Sequence, residues 1–177
     1  MKKAAFLFPG IGYTCDKPLL YYSGKLLKSL GWEVVPVSWT GLDRAGSVHQ
    51  AALAQAEEAL RDIDPGRYDE ILFVGKSLGT VACTAYAKKH GLCCRQVLFT
   101  PVEETFRAAS GQAIVFHGTA DPWMDTGKAE ESCRRLGIPL YEVEGANHSL
   151  ETGDVEKDIK ELRKIMKTVR EFVEQDH

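Results

Sequence analysis

Residues 71–80 read ILFVGKSLGT, and two chemistries overlap in that stretch. Gly75, Lys76 and Ser77 after an apolar run match the end of a phosphate-binding loop. Gly75 to Gly79 also spell G-x-S-x-G, the turn that presents a nucleophilic serine. A phosphate loop needs G-x-x-x-x-G-K-[ST], because the first glycine lets the backbone curl round the phosphates. That position is Glu70, and Ile71 to Val74 between are strand formers. A carboxylate would stand where phosphate charge is expected. The nucleophile reading has the context it needs: a strand over Glu70–Val74, a sharp turn at Ser77, and a helix from Leu78 to about His90. That helix carries Gly79, Ala82, Cys83, Ala85 and Ala87, small side chains that let it lie close to a sheet.

A serine is a poor nucleophile until a base, itself oriented by an acid, takes its proton. On a strand–turn–helix scaffold the chain order is serine, then Asp or Glu, then histidine. Of the five histidines, His148 lies in EGANHS, just after the last strand candidate. His49 and His90 fall inside predicted helices, and His177 is terminal. His117 ends a strand and reads as a packed or hydrogen-bonded structural residue. The acid candidate is Asp121, in HGTADPW after the strand Ala113–His117. An aspartate before proline is also a common turn residue. Its neighbour Asp125 better suits the cap of the following helix. Two backbone N–H groups must meet the developing oxyanion. Leu78, after the nucleophile, should supply one. The other should come from PGIGY after the first strand, at Ile11 with Gly12 as the alternative. Gly10 and Gly12 would equally serve a tight strand-to-helix connection.

These residues require a sheet whose carboxyl end gathers several loops. Strand candidates at Ala4–Phe8, Glu33–Ser38, Glu70–Val74, Gln96–Thr100, Ala113–His117 and Leu140–Val143 alternate with helical patterns. Asp16 and Pro18 open the first helix, which buries Leu19, Leu26, Leu27 and Leu30 and stops at Gly31. Ser47 and Gln50 form a capping box for a helix reaching about Asp62. A short helix follows Val102, and another runs from about Asp125 to Leu136 and stops at Gly137. The last, from about Asp154 to Val173, aligns Val155, Ile159, Leu162, Ile165, Met166, Val169, Phe172 and Val173 on one core-facing stripe. Alternation with short loops predicts a three-layer α/β/α sandwich, a doubly wound, mainly parallel sheet of about six strands, in a single domain over residues 1–177.

Composition narrows the function classes. With 22 basic and 25 acidic residues, the chain offers no electrostatic footprint for nucleic acid. The N-terminal MKKAAFLFPG has too short an apolar run for a secretory core of about 7–15 residues, and nothing approaches the roughly 18 apolar residues of a membrane span. The five cysteines are odd in number and have no zinc spacing, so reduced thiols in a cytoplasm are expected.

Taken together the motifs resemble the α/β-hydrolase superfamily, particularly its small lidless bacterial members. FPGIGYT looks like its oxyanion loop, GKSLG its nucleophile elbow, HGTADPW its acid loop and GANHS its histidine loop. The resemblance covers nearly the whole chain. It implies a Ser77–Asp121–His148 triad with Leu78 and Ile11 as oxyanion donors. The family's first antiparallel strand pair has no counterpart, so the chain enters at the family's third strand. No insertion after Gln96–Thr100 is long enough for a lid. Pro9-Gly10 stands where many members have His-Gly, and Lys76 where many have His, Tyr or Asp.

The implied reaction is acyl transfer to water from a small-molecule ester or thioester. Amidase and acyltransferase chemistry would use the same residues. No metal or organic cofactor, nucleic acid or membrane partner is implied, and self-association is left open. Gly12, Tyr13 and Trp123 are candidate pocket residues, with Phe106, Met124 and Leu150 near the same loops. Glu103 and Glu104 read as a solvated helix start. Lys76 is expected to be a bystander near the site entrance. The alternative function is a non-catalytic ligand-binding or scaffold protein on the same fold.

Overall fold

The computed structural model describes residues 1–42 and 46–175; His177, set aside above as terminal, lies outside them. Six strands form one sheet: β1 (Lys3–Phe8), β2 (Glu33–Pro36), β3 (Glu70–Lys76), β4 (Arg95–Phe99), β5 (Ala113–Gly118) and β6 (Leu140–Val143). The order is β2-β1-β3-β4-β5-β6, and every pairing is parallel. Five helices cover it: α1 (Pro18–Ser29), α2 (Val48–Leu60), α3 (Leu78–Lys89), α4 (Thr126–Leu136) and α5 (Val155–Glu174). α1 and α5 pack against one face, where Leu20, Leu27, Val74, Val97, Ile165 and Val169 are buried. The other face packs against α2, α3 and α4, around Phe6, Phe8, Phe73, Ala56, Ala82 and Ala129. β3, β4 and β5 are therefore covered on both sides, which explains the apolar runs over residues 71–74, 97–99 and 113–116.

Strand order reverses between β1 and β3, so the chains leaving these two neighbours turn to opposite faces and open a crevice at their carboxyl ends. Ligands in open α/β sheets sit at such a switch point. Ser77 follows β3, and the loop bearing Ile11 follows β1.

Several local expectations shift. β2 ends at Pro36 rather than Ser38, since proline brings no N–H to the ladder, although Val37 N–H still donates to the Leu7 carbonyl at 2.8 Å. In α1 the cap position falls to Lys17, without a side-chain cap bond, and Asp16 plays no capping part. Leu19, Leu20 and Leu27 of that helix are fully buried, whereas Leu26 and Leu30 pack only in part. The segment after Val102 is a single 3-10 turn, Glu103–Arg107. The apolar stripe of α5 is core-facing only from its second half onward. Ile165, Val169 and Val173 are buried, while Val155 and Ile159 are 71% and 63% exposed, because the first turns of α5 overhang the start of α1. The caps at Ser47, Asp125 and Asp154 form as their sequences imply, with side-chain oxygens accepting from Gln50, Lys128 and Lys157 N–H.

Candidate active site

The turn after β3 is forced by packing. A side chain on Gly75 would stand 2.8 Å from Thr80 N and Cα, and one on Gly79 would run into the Phe8 and Pro9 backbone. Only glycine lets α3 start this close to the sheet. Between them Ser77 adopts φ 52 and ψ −117, a backbone region costly for any residue with a side chain. The strain is held in place from several directions. Ser77 N–H donates to the Phe99 carbonyl at 3.0 Å. The Ser77 carbonyl accepts from Thr80 N–H at 2.8 Å and from Thr80 Oγ1 at 2.6 Å, and Thr80 Oγ1 meets Thr105 Oγ1 at 2.6 Å.

His148 reaches the same point from the loop after β6. Asn147 Oδ1 accepts from Ser149 N–H at 2.8 Å and Glu151 N–H at 3.2 Å, and Leu150 sits at φ 58, so the histidine is carried on a tight side-chain-closed turn. Its Nε2 lies 2.8 Å from Ser77 Oγ, and its Nδ1 lies 2.7 Å from Asp121 Oδ2. A carboxylate only accepts, so Nδ1 carries the proton and Nε2 is left to accept from the serine hydroxyl. The Asp121 carboxylate is wholly buried, and its Oδ1 accepts from Trp123 N–H at 2.8 Å. The acid loop and histidine loop are laced together: Gly145 N–H donates to Thr119 Oγ1 at 2.8 Å and Ala120 N–H to the Ala146 carbonyl at 2.9 Å. Ser77, Asp121 and His148, read from three separate motifs, thus form one hydrogen-bonded chain.

The remaining candidates divide. Leu78 is the first residue of α3, so its N–H has no intrahelical acceptor. In the β1–α1 loop, Gly10 N–H bonds the Tyr13 carbonyl at 3.0 Å, and Ile11, 66% exposed, stands at the tip. Gly12 lines a cleft of about 580 Å³ between this loop and the segment after β2, where Trp39 and Leu42 form the opposite wall. Trp123 is 71% exposed, with its ring 6.0 Å from the His148 imidazole. Tyr13, by contrast, is no part of the pocket wall: it is buried against α1, where its hydroxyl accepts from Leu19 N–H at 3.0 Å, and burial pushes its pKa up to about 12. Phe106, Met124 and Leu150 are likewise buried. His117 is buried with Nε2 2.9 Å from Thr126 Oγ1, and burial lowers its pKa. Glu103 pairs with Lys128 at the surface. Lys76 departs most from expectation. It is 1% exposed and points inward, away from the entrance, because alternation along β3 sends its side chain to the α1 face.

Solved structures are similar over nearly the whole chain. A serine hydrolase without a lid from Xanthomonas campestris matches with a TM-score of 0.69 at 18% identity, covering 99% of this chain and 84% of its own. An α/β serine hydrolase homologue from Coxiella burnetii gives 0.71 at 15% identity, covering 95% and 85%. The fold is that of the α/β hydrolases, without a lid. Est1E from Butyrivibrio proteoclasticus, with ferulic acid bound, shares that fold with a TM-score of 0.71 at 11% identity, over 97% of this chain and 88% of its own. No family model matches the chain, and no curated protein matches it in sequence.

The α/β-hydrolase fold also explains residues that motif reading passed over. Trp39 Nε1 donates to the Pro9 carbonyl at 2.8 Å, fixing the start of the β1–α1 loop from the neighbouring strand end. The available signal was topological: β2 lies beside β1, so the loops leaving both must meet. Among the described residues no helix is long and apolar enough to cross a membrane, and no cluster of three His, Cys, Asp or Glu is placed to hold a metal ion.

Proposed function

We propose that the chain is a serine hydrolase that cleaves small carboxylic esters or thioesters through an acyl-enzyme. The observation that carries this reading is the continuous chain from Ser77 Oγ through the His148 imidazole to the buried Asp121 carboxylate. His148 Nε2 takes the Ser77 proton as Oγ bonds to the substrate carbonyl carbon. The resulting oxyanion is received by the Leu78 and Ile11 N–H groups. Asp121 stabilises the imidazolium and fixes its tautomer. The imidazolium then returns its proton to the departing alcohol or thiol. Water, deprotonated by the same nitrogen, releases the acid and restores the serine.

Asp121→Asn tests the roles of the two partners. The amide can keep the contact while presenting an N–H toward Nδ1, which favours the wrong tautomer. A drop in kcat of about 10⁴-fold is expected, with little change in KM. A loss under about tenfold would remove Asp121 from the mechanism.

The setting of the site favours small, partly apolar substrates. No lid covers it, and Ile11 and Trp123, on loops that reach the site, offer exposed apolar surface. Across a series of p-nitrophenyl esters, kcat/KM is expected to peak at short acyl chains and to fall for long ones. A maximum at long chains would overturn the small-substrate reading. All five cysteines are unpaired, which supports a reducing, cytoplasmic setting.

A further inference from the structure

Lys76 immediately precedes the nucleophile, yet it is among the most fully buried side chains of the protein. Among the described residues no carboxylate lies within ion-pair distance of its ammonium. Its Nζ instead stands over the Tyr13 ring, 4.9 Å from the centroid. Burying an ammonium without a paired anion is costly, and a ring face recovers only part of that cost. An apolar residue would be the cheaper choice at this position, so the lysine needs a reason.

Tyr13 supplies the geometry. Its carbonyl accepts from Gly10 N–H, which closes the loop over Ile11 and Gly12, and its hydroxyl accepts from Leu19 N–H at the start of α1. Tyr13 is thus the far anchor of the loop that presents the Ile11 N–H. Lys76 presses on that anchor from the strand that carries Ser77. We infer that Lys76 and Tyr13 are a positioning pair, in which the buried ammonium clamps the β1–α1 loop to the nucleophile turn. The inference rests on the hydrolase reading above.

The surrounding charges fit it. Desolvation lowers the Lys76 pKa to about 7, and the Asp121 carboxylate opposes that shift. Tyr13 faces the ammonium from the β1–α1 loop, Asp121 from the loop after β5, and His148 bridges Asp121 to Ser77 from the loop after β6. Glu151 acts on Tyr13, and His117 senses Asp121 from within β5.

Lys76→Met keeps volume and removes the charge. It is expected to lower kcat about tenfold with KM nearly unchanged, since the loop loses its clamp and the Ile11 N–H is displaced. Lys76→Gln should do the same. Tyr13→Leu removes the ring and lowers kcat about tenfold with KM nearly unchanged, since an oxyanion donor is displaced; Tyr13→Phe, which keeps the ring, restores most of kcat. The folded Lys76 pKa lies below its unfolded value, so its stability cost is full below about pH 7 and fades as pH rises towards the unfolded pKa. Lys76→Met should therefore melt higher than the parent protein at pH 6, with the gap closing by about pH 10. Lys76→Met, Lys76→Gln and Tyr13→Leu variants that all keep the kcat of the parent protein would overturn the inference. A parent protein that hydrolyses no ester and takes no fluorophosphonate on Ser77 would instead sink the hydrolase reading.

Discussion

Ser77→Ala is expected to lower ester turnover by about four to six orders of magnitude while leaving the fold in place. The hydroxyl makes one hydrogen bond, to His148 Nε2, whereas the turn itself is held through the Ser77 backbone by Phe99 and Thr80. Alanine meets the same φ of 52 and loses none of those backbone bonds, so stability should stay within about 1 kcal/mol. Steady-state turnover, fluorophosphonate labelling and a thermal melt on one preparation separate the two effects. His148→Ala should cost about as much, and the double variant little more than either single one, because the two residues act as a unit. Losses that multiply instead would mean that serine and histidine serve different steps. An alanine variant within about tenfold of the parent protein would remove Ser77 as nucleophile.

The site was legible where chemistry dictates residue type. Ser77, Asp121 and His148 each sit in a short motif after an apolar strand, and the order of the motifs assigned them to one end of a parallel sheet. Glu70 excluded the phosphate loop for a local reason, and the structure uses it as a strand residue bound to Lys3 and Arg95. What sequence could not place was the direction of side chains near the turn. Tyr13 follows the oxyanion loop and was assigned to the pocket, but the turn closed by Gly10 aims its ring at α1. Lys76, read as a bystander near the entrance, is buried although lysines usually stay exposed. Strand alternation outranked that preference and carried it under Tyr13. Val155 and Ile159 matched the helical stripe, yet periodicity says which residues share a face and not how far the neighbouring helix extends. Trp39 had no motif at all, since its role depends on β2 lying beside β1.

Gly79→Ala is expected to destabilise the protein by about 3 kcal/mol or more, lowering Tm by roughly 6–12 °C for a chain of this size. Helix propensity predicts the opposite sign, a gain of about 0.5–1 kcal/mol when a glycine inside a helix becomes alanine. Packing decides between them. The new Cβ would fall on the Phe8 carbonyl and stand 2.6 Å from the Pro9 oxygen. Neither can yield cheaply, because Phe8 is paired to Gly75 in the sheet and the Pro9 oxygen already accepts from Trp39. α3 must therefore move away from β1. Gly153→Ala gives the contrast: φ is 88 but nothing lies within 4 Å, so only backbone strain of about 1 kcal/mol is expected. If thermal melts rank the two variants the other way, α3 is not seated on the end of β1. The same contact fixes the distance between Leu78, at the start of α3, and Ile11, just beyond β1. A shift of α3 would separate the two N–H groups proposed to share the oxyanion, so Gly79→Ala should lower kcat even at temperatures where it remains folded.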